Sequence, residues 1–536
     1  MAGLLAALGA ATLAATASAP PLSPAPPALQ QAAVSRAPAR TVPGAITRAE
    51  RLATIDAADA DVYRVVWRRA ERDAKRLPPG RRDVVAGAVA NAGRIAADGA
   101  LTTTRLASVL AGVDASVRTA RTVRTLPPAG GRVRLPGDSA VYSYRPPAGM
   151  QVHPLGTIGK LNALASTCTK AARRRGWHCR RAGIRAAADR LIALSVRDGG
   201  SLRFEYLFPF GGGRPGWISA MTQGTGAQAL ARAWRITGET RYRAAARAAY
   251  RSLVSSRKGA AVRRGGRVAH LTMYAFRPGM RVLNGEEQAL IGVADYARIT
   301  RDRRAAGLAR RGARELSAQL PRFDTGAWTL YSLGGREADM NYHELAARFA
   351  GGLCDRALAH SAFCPAAARF ARYTTQPPRL ALAAAPRVRA PRRVTIALRA
   401  SKQTAAWLTV RDRAGRVVLY RRLVLGRDGA RFVLPVRRAG RHTITLDARA
   451  INGRAARATA VVTAKPPKPK PKPKPRPKAK AGAKPGTTAK ARRDRAAGSA
   501  DREARAAEKP ESAPKAAPAK APAKAHGPSR PSGRAS

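Results

Sequence analysis

The sequence predicts a mainly α-helical protein: an α/α toroid, meaning a barrel of helical hairpins, followed by a small all-β immunoglobulin-like sandwich and a disordered basic tail. Three observations carry that expectation. A unit of helix, turn and helix recurs through the middle of the chain; from Arg379 the hydrophobic period switches from about 3.6 to about 2; after Lys465, proline alternates with lysine.

Taken in order, Met1 to Ala15 is an uncharged apolar run ending in the small-residue pattern Ala17-Ser18-Ala19, so residues 1–19 read as a secretory signal peptide. The run is too short and too rich in Ala, Gly and Thr for a membrane span, and no later segment resembles one. Residues 20–44 are a Pro/Ala-rich linker. Residues 45–125 form an N-terminal helical segment, with apolar residues at three- and four-residue intervals broken by Pro78-Pro79-Gly80. The toroid is expected over 126–376. It opens on Leu126 to Gly156, a short irregular or β element in which His153 either faces a site or is satisfied in the core.

From Lys160 the repeat begins. AQALARAWRITGETRYRAAARAAYRSL, IGVADYARITRDRRAAGLARRGARELS and LAARFAGGLCDRALAHSAFCPAAARFARY set equivalent turns roughly sixty residues apart. Arg235-Ile236-Thr237 matches Arg298-Ile299-Thr300. Such hairpins bury their apolar faces only against neighbours. Non-helical inserts such as SLRFEYLFPFGGGRPGW would line one rim of a closed ring; an open α-solenoid is the alternative. Between 379 and 463, seven short alternating runs separated by Gly, Asp-Gly and Asn-Gly turns predict the sandwich. Residues 464–536 are a Lys/Pro/Ala-rich tail, expected to be disordered or polyproline-like because proline at every second residue after Lys465 forbids helix and sheet.

The net charge is +67, from 99 Lys plus Arg against 32 Asp plus Glu. That balance attracts polyanions. Nucleic acid is the less favoured one, because zinc-finger spacing and base-stacking aromatic motifs are missing. An anionic polysaccharide substrate and an anionic cell-wall polymer docked by the tail are the expected partners, with a secreted or wall-associated location. Four cysteines fall in two local pairs, Cys168 with Cys179 and Cys354 with Cys364, each suited to a disulfide that closes a helix connection. Their spacing is not that of a zinc knuckle; no metal and no cofactor is called for.

Chemistry concentrates in Phe323 to Phe349. Asp324-Thr325-Gly326 is a turn and Asn341-Tyr342-His343-Glu344 opens a helix, so Tyr331 and Tyr342 arrive from a loop edge and from a helix N-terminus. A core role for such tyrosines, with the hydroxyl satisfied, is the competing reading.

Three motifs together resemble the D-glucuronyl C5-epimerase family, over about Leu155 to Tyr373. They are RPGWISAMTQGTGAQALARAWRITGE (Arg214 to Glu239), Val282-Leu283-Asn284-Gly285 with its helix, and the stretch holding Asp324-Thr325-Gly326, Tyr331 and Asn341-Tyr342-His343. The resemblance implies an isomerase that inverts glucuronate at C5 within a heparan-type polysaccharide, with Tyr274, Tyr331 and Tyr342 as catalytic residues. Met273 and Ala275 flank Tyr274 where the family has Glu and Pro, and Ser332 follows Tyr331 where it has Asp.

The chemistry itself needs two acid/base groups on opposite faces of the sugar and a cation to meet the developing enolate. Tyr274 and Tyr342 are the expected facing pair, with Tyr331 as a supporting hydroxyl. Arg214, Arg277 and Arg281 are the candidate cations, and Asn284 and His343 the candidate hydrogen-bond donors. A polyuronate lyase and a non-catalytic polysaccharide-binding protein are the alternative readings.

Overall fold

The computed structural model describes residues 38–255, 260–264 and 267–468; the expected signal peptide, most of the linker and the tail from 469 onward lie outside them. The described residues open on four α-helices: α1 (Val42–Arg51), α2 (Ala57–Arg76), α3 (Arg81–Ala97) and α4 (Leu106–Thr122). Thr41 and Asp56 cap the first two by accepting from Gly44 N and Asp59 N. Their apolar faces meet in one core containing Ile46, Tyr63, Trp67, Val85, Leu110 and Val113. That core also takes in Tyr142 and Met150 of a three-stranded antiparallel sheet, β1 (Arg132–Val133), β2 (Tyr142–Tyr144) and β3 (Met150–Val152).

The helical repeat follows: α5 (Pro154–Ser166), α6 (Lys170–Arg174) and α7 (Arg181–Ala193), then the hairpin β4 (Val196–Asp198) and β5 (Ser201–Arg203). Next come α8 (Ala220–Thr237) and α9 (Thr240–Val254), the hairpin β6 (Ala261–Arg264) and β7 (Arg267–Leu271), α10 (Leu283–Thr300) with α11 (Arg303–Phe323), and α12 (Met340–Cys354) with α13 (His360–Tyr373). The two matched Arg-Ile-Thr triplets end α8 and α10, each followed by a left-handed residue, Gly238 and Arg301. The turns are therefore equivalent in conformation as well as in sequence.

Neighbouring helices form a row in which α5 packs on α8, α8 on α10 and α10 on α12. Between α8 and α10 the backbones touch. A Cβ on Gly224 would lie 2.7 Å from the Ala289 carbonyl oxygen, and one on Gly292 would collide with the Gly224 backbone, so glycine is required on both sides. The shared core runs from Ile158 through Leu230, Leu290 and Phe363 to Phe370. No helix among the described residues is long and apolar enough to cross a membrane. Both disulfides are formed, Cys168–Cys179 and Cys354–Cys364, with Cα separations of 4.6 and 5.0 Å; the second staples the turn between α12 and α13.

The period-two region holds eight strands: β8 (Leu380–Ala384), β9 (Arg387–Arg389), β10 (Arg392–Ala400), β11 (Thr404–Arg411), β12 (Val417–Leu425), β13 (Ala430–Val436), β14 (Gly440–Ala450) and β15 (Ala455–Lys465). Three form one sheet, ordered β13-β10-β8, and five a second, ordered β12-β11-β14-β15-β9. Alternate residues such as Val394, Ile396, Leu408, Ile444 and Leu446 share one core. The strand beyond the seven expected is β9, flanked by Pro386 and Pro391. Its place at a sheet edge tolerates those prolines.

This β region grips the end of α13. Lys402 Nζ donates to the carbonyls of Tyr373 and Gln376 at 2.9 and 3.0 Å and lies 4.9 Å from the Trp328 ring centroid. Asn452 Nδ2 donates to Tyr373, Thr374 and Gln376 carbonyls at 2.8 to 3.2 Å. The last carbonyls of a helix lack intrahelical partners, and here two side chains of the β region supply them.

Candidate active site

Helices α8, α10 and α12 run parallel. Gly224 meets Ala289 and Gln228 meets Asp295, while Ile291 meets Gly352 and Asp295 meets Arg356 just past the end of α12, so contacts progress along the chain in the same order on all three. Their N-termini therefore open toward one end, where unsatisfied N–H groups favour negative charge. A tyrosine is strapped to each. The segment carrying Tyr274 bonds to the lead into α8 through Ala220 N to Thr272 O (3.0 Å) and Ala275 N to Ile218 O (3.1 Å). Tyr331 accepts on its carbonyl from Leu283 N, the first residue of α10, at 3.2 Å. Tyr342 lies in the first turn of α12, its N–H donated to the cap Asp339 at 2.9 Å.

The three side chains meet. The hydroxyls of Tyr274 and Tyr331 are hydrogen bonded at 3.0 Å, and the rings of Tyr331 and Tyr342 lie 4.8 Å apart at 59°. Behind Tyr274 stands an aromatic wall of Phe210, Trp217 and Phe276, with centroids 5.6 to 5.9 Å from its ring. Trp217 stacks on Tyr206 at 4.0 Å, and the Tyr206 hydroxyl bonds to Thr222 Oγ1 at 2.7 Å.

Burial, the hydrogen bond to Tyr274 and the neighbouring phenols push the Tyr331 hydroxyl well above its ordinary value. Burial also raises Tyr342, helped by Tyr274 and Asp339 and opposed by Arg145 and Arg132. Both hydroxyls hold their protons at neutral pH. The cluster can donate a proton at two positions and can stabilise a phenolate by the hydroxyl beside it.

The other expected residues divide. Asn284 is buried in the first turn of α10, next to the residue that bonds Tyr331. Arg281 lies close by, but its guanidinium is committed to the buried Glu286 carboxylate at 2.9 to 3.2 Å. Arg214 and Arg277 are exposed on the loops before α8 and α10. His343 does not face the tyrosines. It is fully buried, stacked on Trp328 at 3.6 Å, with Nε2 donating to the Phe370 carbonyl at 2.9 Å and Nδ1 accepting from the Thr329 hydroxyl at 2.8 Å. Burial pushes its imidazole down to about 4. One residue along α12 turns the side chain by about 100°, which separates a site tyrosine from a core histidine. His153 caps α5, its Nδ1 accepting from Gly156 N at 2.8 Å. The grouping of Cys354, His360 and Cys364 offers no thiolate for a metal, since both sulfurs are in the disulfide.

Two features escaped sequence reasoning. Glu205 is buried and held by Arg105 at 2.7 Å and Arg203 at 3.1 Å, tying the turn before α4 to the segment that runs from β5 to the aromatic wall. Arg145, on the loop joining β2 and β3, lies 5.0 Å over the Phe208 ring. In a chain this rich in arginine, Arg105, Arg203 and Arg145 carry no distinguishing signal; only contact identifies them and the glutamate that the first two hold.

Residues 199–361 match the family described as D-glucuronyl C5-epimerase C-terminus. A D-glucuronyl C5-epimerase of Caenorhabditis elegans is 33% identical over 134 residues, 22% of this chain and 21% of that protein. The chain thus spans about a fifth of the length of that curated relative. All three tyrosines fall inside the matched residues; Arg145, Arg105 and the β region fall outside.

Proposed function

We propose that this chain, whose residues 199–361 belong to the D-glucuronyl C5-epimerase C-terminal family, inverts glucuronate residues at C5 in an anionic polysaccharide by proton abstraction and return between tyrosines. The observation that carries the reading is the convergence of Tyr274, Tyr331 and Tyr342 from three segments into one cluster, with the Tyr274 and Tyr331 hydroxyls hydrogen bonded and the Tyr342 ring against that of Tyr331. The C5 proton of a uronate is weakly acidic because the adjacent carboxylate becomes an enolate dianion when it leaves. Three parallel helix N-termini offer partial positive charge to that dianion. Tyr274 and Tyr342 are the facing acid and base. Tyr331, hydrogen bonded to Tyr274 and packed on Tyr342, donates to whichever phenolate forms. The exposed edges of Trp217 and Phe210 present apolar faces of the kind on which a sugar ring stacks.

Met273 stands where the family has a glutamate. Its Sδ accepts from Ser219 Oγ at 3.6 Å, at the floor of the site beside Gly285. In this reading the row of hairpins is an arc of an α/α toroid and the two β sheets form an immunoglobulin-like sandwich. The first 19 residues direct export, and the Lys/Pro tail docks on an anionic cell-wall polymer.

The test is proton exchange. Incubated with glucuronate-containing polysaccharides in deuterated water, the protein is expected to place deuterium at C5 and to generate iduronate signals in the NMR spectrum. An unsaturated product absorbing in the ultraviolet would assign a lyase instead. No exchange across a panel of such glycans would leave a binding protein.

A further inference from the structure

We infer that the loop between β2 and β3, outside the family match, completes the tyrosine site: Arg145 binds the uronate carboxylate and meets the charge that develops on it. The inference rests on reading the tyrosine cluster as a uronate site, and it names the cation which that reading requires.

The loop is fixed before any ligand arrives. Arg145 N donates to the Gly149 carbonyl at 2.8 Å, closing a tight turn over Pro146-Pro147-Ala148. Gly149 has φ +74°, and a Cβ there would run into the Val84 carbonyl and Ala88 of α3. Gly87 of α3 lies equally close beneath the Pro147 carbonyl, and Gly112 of α4 lies beneath Met150 O. The turn is thus pressed backbone to backbone onto two helices, and glycine is the residue that permits the approach.

Its other face enters the site. Ala148 is buried in one cluster with Tyr206, Phe208 and Trp217, and Trp217 is in ring contact with Tyr274. The Arg145 guanidinium rides over the Phe208 ring at 5.0 Å, and Phe208 meets both Tyr206 and Trp217 edge-on at 5.9 Å. Arginine Nε–H is a donor that must be satisfied when buried. Here Nε is buried and has no hydrogen-bond partner among the described residues.

The electrostatics agree. Burial holds the guanidinium below its ordinary value; the phenols of Tyr206, Tyr342 and Tyr274 act on it in the opposite sense, and Arg132 of β1 repels it. A partly desolvated cation near three tyrosine hydroxyls, with a second cation in range, is a place where an anion is stabilised by a short-range charge-assisted bond. The other candidates lack this combination: Arg281 is spent on Glu286, and Arg214 and Arg277 stand in solvent. A carboxylate on the open side of Arg145 would accept from the fork of that guanidinium and bring C5 toward the tyrosine hydroxyls.

The experiment compares the full chain with its Arg145→Gln and Arg145→Lys variants in calorimetric binding. The probes are a glucuronate/N-acetylglucosamine oligosaccharide and the same oligosaccharide with its carboxyls reduced to alcohols. Wild type is expected to prefer the carboxylated probe by roughly tenfold to a hundredfold, the range for a charge-assisted hydrogen bond. Arg145→Gln should bind the two probes alike, and Arg145→Lys should recover part of the preference. Where the protein is active, Arg145→Gln should also lower kcat by more than it raises KM, because the carboxylate gains charge only as the proton leaves. Wild-type preference retained in Arg145→Gln, or no preference in wild type, would overturn the inference. Since Arg145→Lys keeps the charge, it separates loss of the interaction from loss of fold. A protein that showed Arg145-dependent carboxylate preference without C5 exchange would keep this inference while removing the epimerase reading.

Discussion

At the C-terminal end of α10, the buried Asp295 carboxylate accepts from Gln228 at 2.7 Å, from Arg232 at 2.7 Å and twice from Arg356 at 2.9 Å. Although burial opposes it, these donors hold the carboxyl below its usual range. At the N-terminal end of the same helix Glu287 is fully buried, neither oxygen has a partner among the described residues, and burial with the neighbouring Glu286 pushes it well above the usual range. One end is saturated and ties α8, α10 and α12 together. The other keeps a buried carboxyl unpaired near the start of the helix, whose first residue donates to the Tyr331 carbonyl. The same helix thus separates support from chemistry along its length.

Four measurements break or sharpen that contrast. The largest effect is expected from Tyr274→Phe and Tyr342→Phe, which remove a hydroxyl and little packing. Deuterium incorporation at C5 should fall by about 10²- to 10⁴-fold, the usual contribution of a positioned acid or base, while the thermal midpoint stays near wild type. Asp295→Ala should do the reverse. It strands Arg232 and Arg356 without their carboxylate, so urea denaturation should show a loss of about 3–5 kcal/mol, with exchange per folded molecule preserved. If Asp295→Ala abolished exchange in a protein that still melted normally, the division of labour would fail.

His343→Phe comes next. Its two buried hydrogen bonds serve α12 and α13 and not the substrate, so a cost of about 1–3 kcal/mol in stability is expected from the unpaired Thr329 and Phe370 groups. Turnover per folded molecule should be unchanged. The smallest change is expected from Glu287→Gln, and it depends on pH. A carboxyl whose folded value is raised binds its proton more tightly in the folded than in the unfolded state, so wild-type stability falls as pH rises from 4.5 through the folded value. Glu286 adds to this fall between 4.5 and about 6. Urea midpoints of wild type and Glu287→Gln should therefore coincide near pH 4 and separate by pH 8 with the variant higher. Parallel curves would mean that Glu287 is ionised in the folded protein.

Much of this was legible from local rules. The spacing of apolar residues gave the helices, the period-two alternation from Arg379 gave the strands, and the spacing of four cysteines gave two disulfides. Tyr274, Tyr331 and Tyr342 were legible through motifs, 68 positions from the first to the last. His343 was misjudged because sequence reports adjacency and not the direction of a side chain around a helix. Arg145 was invisible because its significance lies in a contact between a hairpin and aromatic residues that sequence places more than sixty positions later, with arginines too common in between to mark one of them. Strand β9 was hidden by prolines that forbid a central strand but allow an edge.

The grip of Lys402 and Asn452 on the end of α13 sets the shortest working fragment. Lys402 and His343 both lie against the Trp328 ring, and His343 directly follows Tyr342 on α12. A truncation placed at the apparent seam near residue 377 would strip three carbonyls of their donors and take away the ammonium that covers that indole. Anyone trimming this chain for crystals or for a biocatalyst should cut after Lys465, treating the β region as the clasp of the helical region and not as its ornament.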